Sequence, residues 1–380
     1  MLTAKSSNRS SILQCVRREP ISRVDISKQT NLSKSAVTTL TNEMMQKGLL
    51  QEIGVAGKPS SVGRKPTLLD IVPDYRFAVG VGLHRKRIAV SLVNLKLEQI
   101  DKVGTDTSTF SYPDLAVEWI CNQVQTLVDK HDLDWSKCTG IGVSSPGPLD
   151  YKTGVIFRPP DFELFTSYPI VKRLQSLLNG HVSLENNSVL LAATDYLWNS
   201  LSQYSQIMFI SMWEGIGTAI LSNGEIMRGY AGFMGELGHC SVDINGIQCT
   251  CGNRGCLEQY VSAAALRQRF SFSSYEKLVD DAYNGLPYAL NILSFLSEYL
   301  GCAIVNAVNI LDLDAVVIFG EFNYRPGLLF ERIKNIVQTR SVVCHSHKVD
   351  ILASCISLED MDISNAVGVI NDFFAGNGNA

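Results

Sequence analysis

The sequence predicts a small, mainly α-helical winged helix-turn-helix domain followed by a larger two-lobed α/β body. The first part is indicated by short segments of helical periodicity with clear caps and by a basic charge excess over residues 1–70. The second part is indicated by strands that alternate with helices after Tyr75. A glycine-rich strand-turn-strand corner occurs once in each half of that region, which predicts a duplicated architecture.

The composition is that of a globular protein that buries sizeable cores. The chain has 380 residues, of which 46% are hydrophobic and 18% are charged. It has no run of about eighteen apolar residues and no apolar signal-peptide core near its start, so we expect neither a membrane span nor secretion. A cytoplasmic location follows as the expectation, and reduced thiols there favour metal binding over disulfides.

Charge is divided unevenly along the chain. Residues 1–70 carry eleven Lys and Arg against five Asp and Glu, a net of +6, whereas the other 310 residues carry 22 against 32, a net of −10. A small basic segment on a larger acidic body predicts that the segment, and not the body, contacts a polyanion. Chance scatter of charge is the alternative explanation.

The first two helices of the basic segment are defined by periodicity and capping. Residues 8–17 place three apolar side chains on one side, as a packed helix does. A second helix is predicted to begin after Ser22, whose hydroxyl caps it, with Asp25 completing a capping box three residues later. It ends near Asn31.

The third helix is predicted to be the recognition helix of a helix-turn-helix. It opens at Ser33, a good N-cap, and ends at Gly48, with apolar residues at spacings of three and four between them. The following stretch, "LLQEIGVAGKPSSVGRKPTLLDIV", has two apolar ends around a Gly/Pro/Ser-rich loop and predicts a hairpin wing.

Small polar residues on the third helix and basic residues near the wing tip predict contacts with double-stranded DNA. The alternative is a three-helix bundle used for protein contact, but capping, polar face and basic wing agree on DNA binding. The predicted DNA-binding residues are Lys34, Ser35, Thr38, Thr39, Lys58, Arg64 and Lys65.

A cysteine-rich segment, "GELGHCSVDINGIQCTCGNRGCLE" over residues 235–258, lies in the second half of the body. It contains one histidine and four of the ten cysteines of the chain. Such a cluster can be a catalytic metal site, a structural metal site or a disulfide knot.

The body resembles the ROK family of sugar kinases and sugar-responsive repressors, and with the head added the whole chain resembles a ROK transcriptional repressor. The motifs that carry the resemblance are "GVSSPGPLD", "ENN", "GELGH" and "CTCGNRGCLE". The resemblance implies an actin-like, hexokinase-type (ribonuclease H-like) body with a sugar site between two lobes. It also implies a final helix that returns to the first lobe, and hence domains at 1–70, at 71–185 with 362–376, and at 186–361.

The resemblance also implies a zinc site and a sugar site. The residues that match the family's zinc ligands are His239, Cys249, Cys251 and Cys256. One imidazole and three thiolates complete a tetrahedral shell without an open position, so we expect structural Zn²⁺ and not a catalytic metal. The residues that match sugar contacts are Asn186, Asn187, Glu236, His239 and Glu258. Carboxylates, amides and imidazole suit a polyhydroxylated ligand because each hydroxyl both donates and accepts hydrogen bonds.

Three departures from the kinase motifs predict that phosphotransfer is absent and that ATP is not a cofactor. In the triplet at 185–187, Asn187 replaces the catalytic aspartate of the family, and an amide cannot accept the sugar's proton. At the first phosphate corner, "GLHRKR", Gly82 replaces the acid, so no acid is expected there to hold a metal ion. At the second corner, Trp213 and Glu214 replace a Gly-Thr pair.

The sequence therefore predicts a sugar-responsive repressor that binds an operator as a homodimer or higher homo-oligomer and is released by a sugar or sugar phosphate. A ROK sugar kinase fused to a DNA-binding head is the main alternative. A constitutive DNA-binding or scaffold protein with a vestigial pocket is a second. Control by a transport protein in place of a sugar is a variant of the main hypothesis.

Overall fold

The computed structural model describes residues 4–55, 66–199, 201–213 and 215–376. Its N-terminal part is a winged helix-turn-helix domain. The helices are α1 (Ala4–Arg18), α2 (Arg23–Thr30) and α3 (Lys34–Gln46). An antiparallel sheet in the order β1-β3-β2 completes the domain, from β1 (Ile21–Ser22), β2 (Leu50–Val55) and β3 (Thr67–Ile71).

The predicted caps of these helices form. The Ser22 hydroxyl accepts the Asp25 amide and the Ser33 hydroxyl accepts the Ala36 amide, each at 3.2 Å. Gly48 follows α3 with φ +77, the left-handed conformation that glycine adopts at helix ends. The Asp25 carboxylate meets the Ser22 hydroxyl at 2.7 Å and not, as a capping box predicts, the Ser22 amide, because the Ser22 backbone belongs to β1.

The first lobe is built on a five-stranded sheet in the order β10-β7-β4-β5-β6. Strands β4, β5 and β6 form an antiparallel meander, and β7 and β10 add to β4 in parallel. Its strands are β4 (Phe77–Leu83), β5 (Arg87–Asn94), β6 (Gln99–Asp106), β7 (Cys138–Ser145) and β10 (Val182–Asn186), with a small hairpin of β8 (Leu149–Asp150) and β9 (Val155–Ile156). Its helices are α4 (Pro113–Lys130) and α5 (Ile170–Leu178).

The second lobe repeats this design. Its sheet has the order β13-β12-β11-β14-β15, again an antiparallel meander extended by two parallel strands. The strands are β11 (Gln206–Met212), β12 (Ile216–Ser222), β13 (Glu225–Ile226), β14 (Ala315–Gly320) and β15 (Asp350–Ala353). The repeated strand order confirms the predicted duplication.

The remaining helices connect and cover the sheets. They are α6 (Asn187–Trp198), α7 (Glu258–Val261), α8 (Ala263–Arg269), α9 (Tyr275–Tyr283), α10 (Pro287–Leu311), α11 (Gly327–Arg340) and α12 (Val367–Ala375). Helix α10 is, by length and composition, apolar enough to cross a membrane, but it lies in the core of the second lobe, where 56% of its most apolar stretch is buried. A buried core helix of a globular protein passes the same test.

The C-terminal segment departs from the single helix predicted from Asp362 onward. A 3-10 turn, Met361–Ala366, precedes α12. The tight turn forms because Asp362 and Asn365 hydrogen-bond to the first-lobe strands, the Asp362 carbonyl to the Ser91 hydroxyl at 3.0 Å and the Asn365 amide oxygen to the Ser144 hydroxyl at 2.7 Å. Ala366, Val369 and Ile370 are buried as predicted, but Phe374 enters the core in place of Phe373.

The head packs directly against the body. Its apolar side chains share one continuous core with residues of the body, including Leu95 after β5, Leu190 on α6, and Ile363 and Phe374 of the C-terminal segment. Burial of this shared apolar surface fixes the orientation of α1 on the body.

Candidate functional site

The candidate binding site is a cavity of about 140 Å³ in the cleft between the two lobes. It is lined by residues at the ends of strands and helices, and both lobes supply side chains. All five residues predicted to bind sugar line this cavity: Asn186, Asn187, Glu236, His239 and Glu258.

The two asparagines lie where β10 ends and α6 begins. Asn186 is the N-cap of α6, and its side-chain oxygen accepts the Ser188 amide at 2.9 Å. Asn187 places its Nδ2 3.4 Å from His84 Nδ1. Its Oδ1 is buried and has no hydrogen-bond partner within the described ranges. Asn187, which lines the cavity, therefore has a buried hydrogen-bond acceptor that no described protein group uses.

The two glutamates come from the second lobe. Glu258 begins α7, and its Oε2 accepts the Ile216 amide at 2.8 Å. The adjacent Gly215 leaves the space that this carboxylate needs, since a Cβ there would lie 2.6 Å from Glu258 Oε2. Burial raises the pKa of Glu236 above its ordinary value, with a smaller contribution from the Glu258 charge, while His239 opposes the rise. Such a carboxyl group can form hydrogen bonds with a ligand, but its ionised form lowers the stability of the folded protein.

Side chains fill the corner that would approach a phosphate in a kinase. His84 is 2% exposed, and its ring packs edge-on against Trp213 with 5.3 Å between centroids. Arg85 lines the cavity, and its Nε donates to the Pro160 carbonyl at 3.1 Å. A Cβ on Gly82 would meet Asn365 Nδ2 at 2.7 Å and His84 Nε2 at 2.8 Å, so this position has no room for an acid.

An acid that the sequence motifs did not indicate lies behind this corner. Asp362, from the C-terminal turn, is fully buried, and its Oδ1 lies 3.7 Å from His84 Nε2. Its other oxygen forms an ion pair with Arg87 at 2.5 Å. Burial acts to raise the pKa of Asp362, but His84 and the Arg87 guanidinium outweigh it and hold the pKa below its ordinary value. Asp362 is far from the corner in sequence and lies in a segment predicted to be an apolar helix. Residue spacing therefore could not predict its position at the corner.

The predicted metal ligands come together in the cysteine-rich segment. One ligand atom from each of His239, Cys249, Cys251 and Cys256 lies within 4.8 Å of all the others. Cys249 Sγ is 3.8 Å from His239 Nδ1, and Cys251 Sγ is 3.7 Å from Cys256 Sγ. A tetrahedral site with Zn–S bonds of about 2.3 Å separates its sulfur atoms by about 3.8 Å, so the donor set fits a zinc ion.

The predicted DNA-binding residues of α3 are exposed. Lys34, Ser35, Thr38 and Thr39 all lie on its solvent face, while Val37, Leu40 and Met44 of the same helix are buried. The three predicted wing-tip residues, Lys58, Arg64 and Lys65, lie outside the described residues, as does Glu214 at the second phosphate corner.

Comparison with known proteins gives one family match, one similar relative and two similar solved structures. A model of the ROK family matches residues 77–360. The xylose repressor of Bacillus subtilis strain 168 is 26% identical over 372 residues, which cover 95% of this chain and 94% of the relative. A solved ROK family transcriptional regulator, a homologue of the E. coli MLC protein, has a TM-score of 0.80 and 22% identity over 98% of this chain and 97% of its own. A ROK glucokinase from Streptomyces griseus, solved with glucose and AMPPNP, has a TM-score of 0.63 and 20% identity over 77% of this chain and 98% of its own. These likenesses confirm the predicted fold class.

Proposed function

The chain belongs to the ROK family, and we propose that it is a sugar-responsive transcriptional repressor of genes for carbohydrate uptake or catabolism. One observation carries the proposal: a winged helix-turn-helix head with an exposed polar recognition helix shares its core with a body that holds a polar cleft. The xylose repressor matched above is similar to this chain over both parts, since the match covers 95% of it. A sugar or sugar derivative releases the protein from its operator.

The head reads double-stranded DNA through α3. Its solvent face presents Lys34, Ser35, Thr38 and Thr39, small enough to enter a major groove, and Lys58, Arg64 and Lys65 of the wing contact phosphates or the minor groove. A homodimer places two such helices about 34 Å apart, one turn of DNA. Movement of the heads off this spacing releases the operator.

The cleft binds the effector. Asn186, Asn187, Glu236 and Glu258 pair with sugar hydroxyls, and His239 contributes its ring face from the edge of the metal group. A buried site of this composition rejects ligands that leave its polar groups unpaired. The compound is a sugar or a sugar phosphate.

The metal is structural zinc. His239 and the three cysteines would supply all four ligands, so a bound ion would cross-link a glycine-rich loop that carries Glu236 and precedes Glu258. Burial, followed by the neighbouring thiols of Cys251 and Cys249, raises the pKa of Cys256 to about 12. A bound dication reverses this effect because it favours the thiolate.

Phosphotransfer is absent in this proposal. Asn187 replaces the base, His84 and Arg85 occupy the first phosphate corner, and the buried Asp362 is engaged by Arg87. The alternative, a sugar kinase with a fused head, draws support from the glucokinase likeness, which concerns the fold alone.

We also propose a cytoplasmic homodimer with domains at 1–70, at 71–185 with 362–376, and at 186–361. The two five-stranded sheets support this division because each falls within one lobe range, apart from Asn186 at the end of β10. The contact of α12 with β7 and β10 supports the return of the C-terminal segment to the first lobe.

The proposal is tested by selection of genomic DNA fragments on the purified full-length chain at low salt, where phosphate contacts are strongest. We expect specific fragments to be retained, and Lys34→Ala with Thr38→Ala to weaken them, while a distant body control, Lys152→Ala, leaves them unchanged. ATP turnover with sugars should stay at background. Failure to retain DNA, together with ATP-dependent sugar phosphorylation, would establish the kinase instead.

A further inference from the structure

The C-terminal segment, residues 361–376, lies between the cleft and the head. Its first half, the 3-10 turn, rests directly on the backbone of the first sheet because β4 and β7 have glycines beneath it. A Cβ on Gly142 would lie 2.1 Å from the Asn365 carbonyl oxygen, and one on Gly80 would lie 3.0 Å from Asn365 Cβ. Its second half, α12, contributes Phe374 to the core of the head. The segment therefore contacts the first sheet at one end and the core of the head at the other.

At the cleft end, the contact runs from Asn187 to His84 to Asp362. Asn187 Nδ2 donates to His84 Nδ1 across 3.4 Å, which assigns the ring proton to Nε2. That Nε2 faces Asp362 Oδ1 at 3.7 Å, about 0.7 Å beyond an ordinary hydrogen bond. The imidazole is 2% exposed and the carboxylate 0%. The two atoms are close to each other, but neither has a hydrogen-bond partner among the described residues.

Four buried polar atoms around this point have no hydrogen-bond partner in the part of the chain that the structure describes. They are His84 Nε2, Asp362 Oδ1, Asn187 Oδ1 and Asn365 Nδ2. A buried polar atom without a partner costs free energy, so an arrangement that joined these groups would recover part of that cost. A ligand shifts a protein toward such an arrangement only if it binds that arrangement more tightly than the one observed.

The rest of the turn is bonded to the first sheet, so the contact that can adjust is the one between His84 Nε2 and Asp362 Oδ1. Arg87 pairs with the second oxygen of Asp362 at 2.5 Å, and the Ser91 hydroxyl donates to its carbonyl at 3.0 Å. The Ser144 hydroxyl donates to Asn365 at 2.7 Å. These bonds join the turn to β5 and β7, so closure of the His84–Asp362 contact acts on a turn that is otherwise held in one arrangement.

At the head end, α12 is fastened to α1. The Arg17 guanidinium lies 4.7 Å from the centroid of the Phe374 ring and also donates to Asn371 Oδ1. The Ser10 hydroxyl donates to the Phe374 carbonyl at 2.9 Å. The Arg17 side chain is partly buried, and this burial lowers its pKa to about 9. The first helix of the DNA-binding head is thus attached to the segment that starts at Asp362.

We propose that His84 and Asp362 are the positioning pair that couples the cleft to the head. A ligand hydroxyl that engages Asn187 moves the His84 ring, the Nε2–Oδ1 contact closes into a hydrogen bond, and the C-terminal segment carries α1 with it. This inference rests on the proposed function for the identity of the ligand and of the DNA, but the coupling itself is a property of the protein alone.

The test compares hydrogen exchange in the full-length chain without ligand. His84→Ala removes the pair, His84→Gln keeps an amide that can bridge Asn187 and Asp362, and His131→Ala is a matched control on the surface of the first lobe. We expect amides of 361–376 and of α1 to exchange about tenfold faster in His84→Ala, largely recovered in His84→Gln and unchanged in His131→Ala. Amides of α10 serve as the reference for global destabilisation and should not change.

A change confined to β4 and β5, or an equal change in α10, would overturn the coupling. The second arm is a double-mutant cycle of His84→Ala and Asp362→Asn on affinity for duplexes retained by the wild-type chain. We expect each single variant to shift affinity by about fivefold or more without sugar, and the double variant to add little. Strict additivity would contradict the pair. If no duplex is retained, the proposed function fails, while hydrogen exchange still decides the coupling.

Discussion

At the scale of single residues, this protein keeps several polar side chains in unfavourable surroundings. Asn187 Oδ1 and Asp362 Oδ1 are buried without partners among the described residues, and the Glu236 carboxyl, which lines the cavity beside His239, has a raised pKa. Residues of this kind lower stability and persist where a ligand or a conformational change makes use of them. The cleft is where they collect.

Glu236 allows this cost to be measured. Because burial raises its pKa, the ionised form is disfavoured in the folded state, and the penalty is full above the raised pKa and absent below about pH 4. Because Glu236 is also exposed to solvent, which screens its charge, Glu236→Gln is expected to increase the free energy of unfolding at pH 7 only slightly, and to add nothing at low pH, while it abolishes sugar binding. Urea unfolding at several pH values and calorimetric titration check both parts. A variant that loses stability at pH 7 would contradict the expected sign.

Cys251 tests the metal group. Its replacement by serine leaves three ligands, so we expect metal content to fall from one zinc per chain toward zero and the cysteine-rich segment to become sensitive to protease. Cys240→Ser is the matched control, because Cys240 adjoins His239 but is not part of the ligand group. Elemental analysis of both purified variants measures the difference, and an unchanged zinc content in Cys251→Ser would remove the assignment.

At the scale of elements, glycines in β4 and β7 allow the C-terminal segment to pack closely on the first sheet. In the sequence, Gly82 of β4 stands where the kinase motif has the acid of its first phosphate corner. In the structure, Gly80 and Gly82, with Gly142 on β7, admit the turn of the C-terminal segment onto the sheet. Glycine at position 82, in place of the acid of the kinase motif, leaves the space in which the turn with Asp362 and Asn365 packs on the sheet.

Gly142→Ala tests this packing. The added Cβ would lie 2.1 Å from a backbone oxygen that cannot swing away, so we expect a loss of at least about 3 kcal/mol in the free energy of unfolding. Gly180→Ala is the control, since its nearest neighbour would be 3.7 Å from the new Cβ. Chemical denaturation of both variants gives the comparison, and equal stability of the two would show that the turn does not depend on this close approach.

At the scale of the whole molecule, head and body form one cooperative structure through the C-terminal segment. Ile12, Leu40 and Leu69 of the head share a core with Leu190 and Phe374 of the body. A rigid connection is what a repressor needs, because ligand binding in the cleft changes operator affinity only if it changes the placement of the heads.

Phe374 tests this cooperativity. It is 0% exposed, so Phe374→Ala is expected to lower the free energy of unfolding by about 3–5 kcal/mol and to speed hydrogen exchange in α1, although the mutation lies at the other end of the chain. Phe373→Ala, at the adjacent but only partly buried position, should have a smaller effect. Exchange in α1 that matches the wild-type rate would show that the head folds independently.

Much of this molecule could be predicted from local signals. Ser22, Ser33 and Gly48 defined the ends of helices because capping depends on neighbours in sequence. The metal group was implied by the resemblance to the ROK family, and the ability of one imidazole and three thiolates to complete a tetrahedral shell supported it. Asp362 and its approach to His84 could not be predicted, since they depend on a contact between residues 278 positions apart that only the packing of the turn on the sheet creates.

The measurement that tests the central claim most directly is linkage between sugar and operator. DNA fragments selected on the full-length chain are titrated by fluorescence anisotropy, with and without each of a panel of sugars and sugar phosphates, and sugar binding is measured separately by calorimetry. We predict that one compound weakens operator binding by about fivefold or more and that operator weakens binding of that compound by the same factor. A compound that binds in the cleft and leaves operator affinity unchanged would contradict the account.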